Sequence, residues 1–460
     1  MTLACSTALH LKRLALLHTY GGRAPRYTSY PTAAQFTPDV DAATYASWLA
    51  ALPTADPVSI YVHIPFCARL CWYCGCNTRV IHRGESVSDY VGLLVKEVGL
   101  VEDQLSDKLK ASAIHLGGGT PNMTSVDDLA MLFGVLRQAF RVPLGAEIAA
   151  EIDPSQLRPE WVRAAAYHGL TRASVGVQDL SPQVQDAVNR HEPFEVVQRA
   201  TQLLRDAGVG AINFDLMYGL PRQHTQQVLQ TLDQILTLQP DRLALFGYAH
   251  VPWMKAHQKL IDEKDLPGEA ERLEESEAAA ERLIAEGYVR VGLDHFARPD
   301  DELARALGEG RVNRNFQGYT TDQAATLIGF GVSAIGRLPQ GYVQNQPTEL
   351  AWRKAIAAGA LASARGVALT DADRFRSEII ERLMCDFDVD LAEVRRRHHE
   401  QAGAPAGVDA ALAGLERDGL IERQGSTLRI TPLGRPFVRQ VCAAFDAYLA
   451  PGALKHSVAV

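Results

Sequence analysis

Short apolar runs alternate with longer amphipathic stretches through the middle of the chain. Six runs of β type occur in order: SIYVHIP (59–65), AIHLGGGTP (113–121), EIAAEIDP (147–154), RASVGVQD (172–179), AINFDLMYGLP (211–221) and RLALFGYAHVP (242–252). Between them, SDYVGLLVKEVGLVEDQL, SVDDLAMLFGVLRQAF, RPEWVRAAAYHG, PFEVVQRATQLLRDAG and HTQQVLQTLDQILTL carry apolar residues at three- and four-residue spacing, with Ser, Asp or Pro near several starts and Gly after two ends. That pattern predicts helices. Parallel neighbours need a crossover and a helix supplies it, so the repeated unit predicts an α/β fold with a parallel sheet. Six units suit an incomplete parallel (β/α)6 barrel; periodicity leaves an open doubly wound sheet as the alternative.

Beyond residue 365 the character changes. An Ala-rich AIAAGALASARG leads into LAGLERDGLIERQGSTLRITPLGRPFV, which reads helix, strand, turn at Gln424-Gly425, strand and helix. The order is winged-helix-like and predicts a mostly helical C-terminal domain. The chain therefore divides into an N-terminal extension (1–55), the barrel and following elements (56–364) and a C-terminal unit (365–460). A winged helix raises nucleic-acid binding as a rival function. The charges flanking the turn are scattered and form no long basic stripe, so a cover over the barrel mouth is the expectation.

Composition narrows the setting. At 460 residues the chain has room for more than one core and a shielded site. A net charge of −8 and a pI near 6.0 argue against a general binder of nucleic acid or anionic membrane. The apolar LALL after Lys12-Arg13 is too short for a secretory segment, and no uncharged apolar run reaches membrane-spanning length. Seven cysteines, with Cys5, Cys385 and Cys442 scattered singly, do not form a disulfide framework. A protein of a reducing cytoplasm, without a membrane span or a nucleic-acid partner, is expected.

Chemistry gathers at the strand ends. Cysteines follow the first strand and GGGTP the second; Glu151 and Asp153 end the third, Gln178 and Asp179 the fourth, Asp215 lies on the fifth, and Tyr248 and His250 end the sixth. Carboxyl ends of strands form the active face of a β/α barrel, so these residues are expected to converge. Cys67, Cys71 and Cys74 have the spacing C-x3-C-x2-C, which lets a short loop turn three thiolates toward one centre. Iron–sulfur clusters take such ligands. Zinc is the rival, with Cys76 as a fourth sulfur, although no second C-x2-C pair follows. Lone His63 and His250 read as hydrogen-bonded scaffold rather than acid or base.

C-x3-C-x2-C after the first strand and GGGTP after the second resemble the radical S-adenosylmethionine (radical-SAM) enzymes. The fuller set, PRYTSYPT (25–32), YVHIPFC, CGCN, LGGGTP, EIDP, VGVQD, VNR, NFDLMYGLP, DHFARPDDEL, RNFQGYTT and GFGVSAIG, is similar to the oxygen-independent coproporphyrinogen III oxidase family and covers nearly the whole chain. A non-catalytic heme chaperone or another radical enzyme of the same subfamily is the alternative. PRYTSYPT and Cys76 fit the oxidase better.

The resemblance implies a fold of radical-SAM type and a [4Fe-4S] cluster on Cys67, Cys71 and Cys74, with S-adenosylmethionine on the open iron giving a 5′-deoxyadenosyl radical. It implies oxidative decarboxylation of the ring A and B propionates of coproporphyrinogen III to the vinyl groups of protoporphyrinogen IX, in heme biosynthesis. An electron donor and a terminal acceptor are implied partners, and a monomer is expected. Tyr61, Gly118, Glu151 and Ile335 fall where the family holds the cluster-bound S-adenosylmethionine; Gln178, Arg190, Asp215, Gly119, Thr120 and Ala249 match a second S-adenosylmethionine site. Tyr73 stands where the family often has Phe. Cys76 is either a small buried hydrophobe or a residue near the substrate or electron path. Arg190 otherwise reads as a surface helix residue. Missing side chains at Gly118 suit close approach of its amide to a ligand. Four substrate carboxylates call for cations, for which Arg26 and either Arg311 or Arg314 are candidates.

Overall fold

The computed structural model describes residues 3–81, 85–398 and 407–449. Six strands form where the apolar runs predict them: β1 Val58–Ile64, β2 Ala111–Gly118, β3 Glu147–Ile152, β4 Arg172–Gln178, β5 Ala211–Tyr218 and β6 Arg242–Gly247. Each pairs in parallel with the next in chain order. A doubly wound sheet reverses its order at a switch point within the repeated units, and these six strands keep one order throughout, which is the barrel arrangement. The predicted crossover helices are present, for example Val126–Ala139, whose Ser125 and Asp128 form a capping box. Its Leu129, Leu132, Phe133 and Leu136 are buried against the sheet, each contributing roughly 1.5–3 kcal/mol.

The sheet extends past the six strands. On one side lie β7 Val289–Val291 and β8 His295–Ala297; on the other, β9 Thr326–Phe330 runs parallel to β1 and continues through β10 Ile335–Leu338, β11 Gly341–Asn345 and β12 Ser363–Ala368 as an antiparallel meander. The twelve strands stand in the order β12-β11-β10-β9-β1-β2-β3-β4-β5-β6-β8-β7. The added strands are short and interrupted by Gly, too little alternation for a sequence pattern to resolve. Among the described residues no helix is long and apolar enough to cross a membrane.

The C-terminal unit follows the winged-helix-like order. Helices Asp371–Asp386, Leu391–Arg397 and Val408–Arg417 surround a small antiparallel sheet of Asp388–Asp390, Thr427–Ile430 and Ile421–Gln424. The turn between its last two strands uses Gly425 at φ +63°, a conformation that costs glycine little. Its core draws on more than its own sequence: Leu17, Tyr27, Tyr30 and Leu273 are buried with Phe375, Leu383, Phe437 and Val441. The N-terminal segment thereby joins the C-terminal unit, and both flank the barrel mouth.

Candidate active site

The cysteine loop is clamped from every side. Phe66–Cys67 pairs with Arg79–Val80, closing the loop at its base. Asn189 donates to the carbonyl of Leu70 (2.9 Å), Gln258 to Tyr73 (2.9 Å), His257 to Cys74 (2.8 Å), Lys255 to Cys76 (2.9 Å) and His63 Nε2 to Asn77 (2.9 Å). Turn carbonyls that would otherwise face water are thus fixed by side chains from distant elements. His63 Nδ1 accepts from Tyr61 Oη at 3.0 Å, and His250 lies between Tyr248 and Glu263, so both histidines are engaged as scaffold.

Cys67, Cys71 and Cys74 line one cavity of about 530 Å³. Thr120 Oγ1 donates to Cys67 Sγ at 3.6 Å and Arg190 Nη1 to Cys71 Sγ at 3.5 Å. Burial pushes the Cys67 thiol up to about 12, whereas hydrogen bonding with Cys76 brings the Cys74 thiol down to about 6. A four-iron cube takes its thiolates at separate corners, and three free sulfurs along one wall fit it.

The strand ends supply the rest of that wall. Tyr73, Gly118, Gly119, Thr120, Glu151, Gln178, Arg190, Asp215 and Ala249 all line the cavity; Tyr61 and Ile335 do not. Tyr61 instead stacks on His115, which does line it. Burial pushes Glu151 up, but hydrogen bonds from His115 (3.3 Å) and the Gly118 N–H (3.0 Å) outweigh it and hold the carboxylate below its usual range. The Gly118 amide is therefore engaged by Glu151, and the need for glycine there has a different origin from the one expected. Its φ is +111°, and a Cβ would lie 2.5 Å from the His63 ring. Asp215 accepts from Ser174 and Asn213, each at 2.8 Å, while burial pushes it up to about 6. Gln178 sits at φ +69° where the strand register shifts, a strained placement for a side-chain-bearing residue.

Two readings of single residues are corrected. Arg190 is no surface helix residue: the helix Pro182–Val188 ends before it at left-handed Asn189, and Arg190 is buried beside Asp153 and Glu192. Cys76 is exposed rather than a buried hydrophobe, and it lines both the cysteine cavity and a second one next to it.

That second cavity, of about 340 Å³, shares Arg26, Cys76, Phe246, Gly247, Tyr248 and Gln317 with the first. Six arginines line it, Arg13, Arg26, Arg272, Arg290, Arg314 and Arg439, against two carboxylates, Glu277 and Asp294. Arg311 is outside it, exposed and paired with Glu309, so of the two alternatives Arg314 is the one at the cavity. Pro436 and Arg439 of the C-terminal unit form part of the wall, as does Arg13 of the N-terminal helix Leu3–Tyr20. Sequence reasoning missed Arg13, Arg272, Arg290 and Arg439. A signal existed for Arg439, a charge inside the apolar stripe Val438, Val441 and Cys442.

Sequential parallel strands, a three-cysteine loop after the first and a polar cavity at their carboxyl ends together define a radical S-adenosylmethionine protein. Residues 61–235 match the radical SAM superfamily, and residues 369–437 match the HemN C-terminal domain. The chain is 47% identical to the oxygen-independent coproporphyrinogen III oxidase of Bradyrhizobium diazoefficiens, over 97% of this chain and 100% of that one. It is 38% identical to that of Salmonella typhimurium over 95% of each. The structure of coproporphyrinogen III oxidase from Escherichia coli, a radical SAM enzyme, superposes with a TM-score of 0.88 at 36% identity, covering 95% of this chain and 99% of that one. The chain belongs to the oxygen-independent coproporphyrinogen III oxidase family. That membership brings with it a [4Fe-4S] cluster and S-adenosylmethionine.

Proposed function

We propose that the chain catalyses the anaerobic oxidative decarboxylation of the ring A and B propionates of coproporphyrinogen III, giving protoporphyrinogen IX in heme biosynthesis. The observation that carries this reading is the pair of joined cavities, one walled by cysteines and ligand-type polar groups, the other by arginines. A substrate with four carboxylates needs cations, and this acidic chain concentrates them here.

Cys67, Cys71 and Cys74 hold the cluster. When bound, the cluster and S-adenosylmethionine supply the one-electron chemistry that removes a hydrogen atom from the propionate β-carbon. Tyr61, Gly118, Glu151 and Ile335 serve the cluster-bound S-adenosylmethionine; for Tyr61 the support is its stacking on His115, which bonds Glu151. Tyr73, Gly119, Thr120, Gln178, Arg190, Asp215 and Ala249 serve a second molecule, with the Asp215 carboxylate accepting ribose hydroxyls. Gly119 leaves no room for a side chain, because a Cβ would lie 2.7 Å from the Pro65 carbonyl carbon. Arg26 reaches both cavities and holds a bond to the Gly247 carbonyl at 2.9 Å, which suits it to steer a propionate toward the cofactor side. The N- and C-terminal units exclude water from the reacting end. Loss of hydrogen, carbon dioxide and one further electron leaves the vinyl group, and that electron passes to an acceptor distinct from the initial donor.

The test is anaerobic incubation of reconstituted protein with dithionite, S-adenosylmethionine and coproporphyrinogen III, followed by porphyrin fluorescence after oxidation. Protoporphyrin is the expected product. Cleavage of S-adenosylmethionine with no vinyl product in the presence of substrate would overturn the reading.

A further inference from the structure

The six arginines of the second cavity are not equivalent. Arg13 is tied to Glu277 and to the Pro432 carbonyl, and Arg439 to the carbonyls of Ala24 and Pro25. These two fix the N-terminal segment against the cavity. Arg26 stands at the junction with the cofactor cavity, and the Arg272 guanidinium lies 5.6 Å from the centre of the Tyr218 ring. Arg290 and Arg314, like Arg13, Arg272 and Arg439, line the second cavity and not the cofactor cavity. Arg290 Nη2 donates to the nearby Leu293 carbonyl at 2.6 Å, and the Arg314 guanidinium lies 4.5 Å from the centre of the Tyr319 ring. Arg290 Nε and Arg314 Nε and Nη1 are buried with no hydrogen-bond partner among the described residues. Arg13 Nε is also buried without a hydrogen-bond partner among them, but the two Nη atoms of Arg13 are taken by Glu277 and the Pro432 carbonyl. An unpaired buried guanidinium N–H costs free energy that an incoming carboxylate recovers. Asp294, which faces Arg26 and Arg314, is already bound by His295 at 2.8 Å. Burial and neighbouring arginines also push Arg26, Arg290 and Arg439 below the usual guanidinium range, the last to about 9, whereas for Arg314 the lowering by burial is outweighed by Tyr319 and Asp294, which hold it above that range. The cavity is crowded with cation and short of anion.

We infer that Arg290 and Arg314 hold the two propionates that the reaction leaves intact, at the end of the substrate remote from the cofactor cavity. This rests on the activity proposed above and goes further, by assigning specificity-determining residues and dividing the four carboxylates between a reacting and an anchoring pair. The geometry behind the division is simple. A propionate undergoing hydrogen abstraction must reach the cofactor cavity, so cations confined to the other cavity hold carboxylates that stay. Both rounds then use the same anchoring chemistry, and the product retains the groups that bind it.

The test uses Arg290→Gln and Arg314→Gln in reconstituted protein, with Arg290→Lys and Arg314→Lys as charge-preserving controls. Each Gln variant should raise KM for coproporphyrinogen III about tenfold to a hundredfold, the range for a lost charged hydrogen bond. Iron content and circular dichroism should be unchanged, and lysine should restore part of the affinity. Fluorescence quenching by two stable porphyrins makes the decisive comparison: coproporphyrin III has four carboxylates, and protoporphyrin IX only the two that remain. Both Gln variants should weaken both porphyrins by similar factors. Unchanged protoporphyrin IX binding beside weakened coproporphyrin III binding would mean that these arginines hold the reacting propionates, and the inference falls. It falls also if both variants keep KM within twofold of the wild type. If one Gln variant loses iron, the other and the lysine pair carry the comparison. Failure of the wild type to make protoporphyrin would instead overturn the activity itself.

Discussion

Glu192 is the strongest test of how the cofactor wall is held. It is completely buried, contacts Arg69 directly and lies 3.8 Å from Arg190; both arginines also approach Asp153, at 3.7 and 3.9 Å. Two cations and two carboxylates thus form a closed set behind the cysteine loop, and Arg190 in turn reaches Cys71 Sγ. Replacing Glu192 by Gln keeps the shape and removes one charge, leaving two guanidinium groups on one carboxylate. Breaking a buried pair on one side costs about 3–5 kcal/mol. Unfolding entropy of about 2.1 cal/mol/K per residue over 460 residues is about 1 kcal/mol/K, so Tm should fall by about 3–5 °C if the chain melts as one unit. The anaerobic protein should also bind its cluster less completely, because Arg69 belongs to the cysteine loop and Arg190 bonds Cys71 Sγ. Differential scanning fluorimetry and iron analysis read the two effects. A Glu192→Gln protein within 1 °C of wild type and fully loaded with iron would refute the reasoning.

Other outcomes are equally specific. Cys67→Ala, Cys71→Ala or Cys74→Ala should each abolish the brown iron–sulfur absorbance, while Cys76→Ala should keep it; iron analysis of the four proteins decides. Burial pushes Asp215 up to about 6, so its carboxylate ionises as pH rises through that value. S-adenosylmethionine affinity, measured by calorimetry, should therefore rise between about pH 5 and 7, and Asp215→Asn should flatten the profile. The same raised value works against the fold: stability attributable to Asp215 is present below the unfolded value, about 3.9, and is lost as pH rises to about 6. A chain ending at residue 364 uncovers Leu17, Tyr27, Tyr30 and Leu273 and removes Arg439. It should aggregate or, if soluble, cleave S-adenosylmethionine without forming vinyl product, as chromatography of the reaction would show.

The barrel was legible because its signals are local. Apolar runs of five or more residues flanked by periodic helices predict β1 to β6 wherever they lie in space, and C-x3-C-x2-C is a ligand spacing that a short loop can satisfy alone. Residues at the carboxyl ends of strands converge by the geometry of any such sheet, so Glu151, Gln178 and Asp215 could be placed at a common mouth from sequence order. The strands β7 to β12 could not, since runs of three to six residues gain their identity from the partners they pair with.

The arginine cavity lies beyond sequence for a related reason. Arg13, Arg26, Arg272, Arg290, Arg314 and Arg439 come from the N-terminal segment, the helix after β6, the edge strand β7, a short hairpin and the last described helix. Apart from Arg439, which interrupts an apolar stripe, each is an ordinary charged residue in its own neighbourhood, in a chain of net charge −8. Sequence alone determined the six parallel strands, the three-cysteine loop and the polar residues at the strand ends, because hydrophobic periodicity and ligand spacing act over a few residues. Which cations face one another was decided only by tertiary packing, because electrostatic crowding depends on separation in space and is unrelated to separation along the chain.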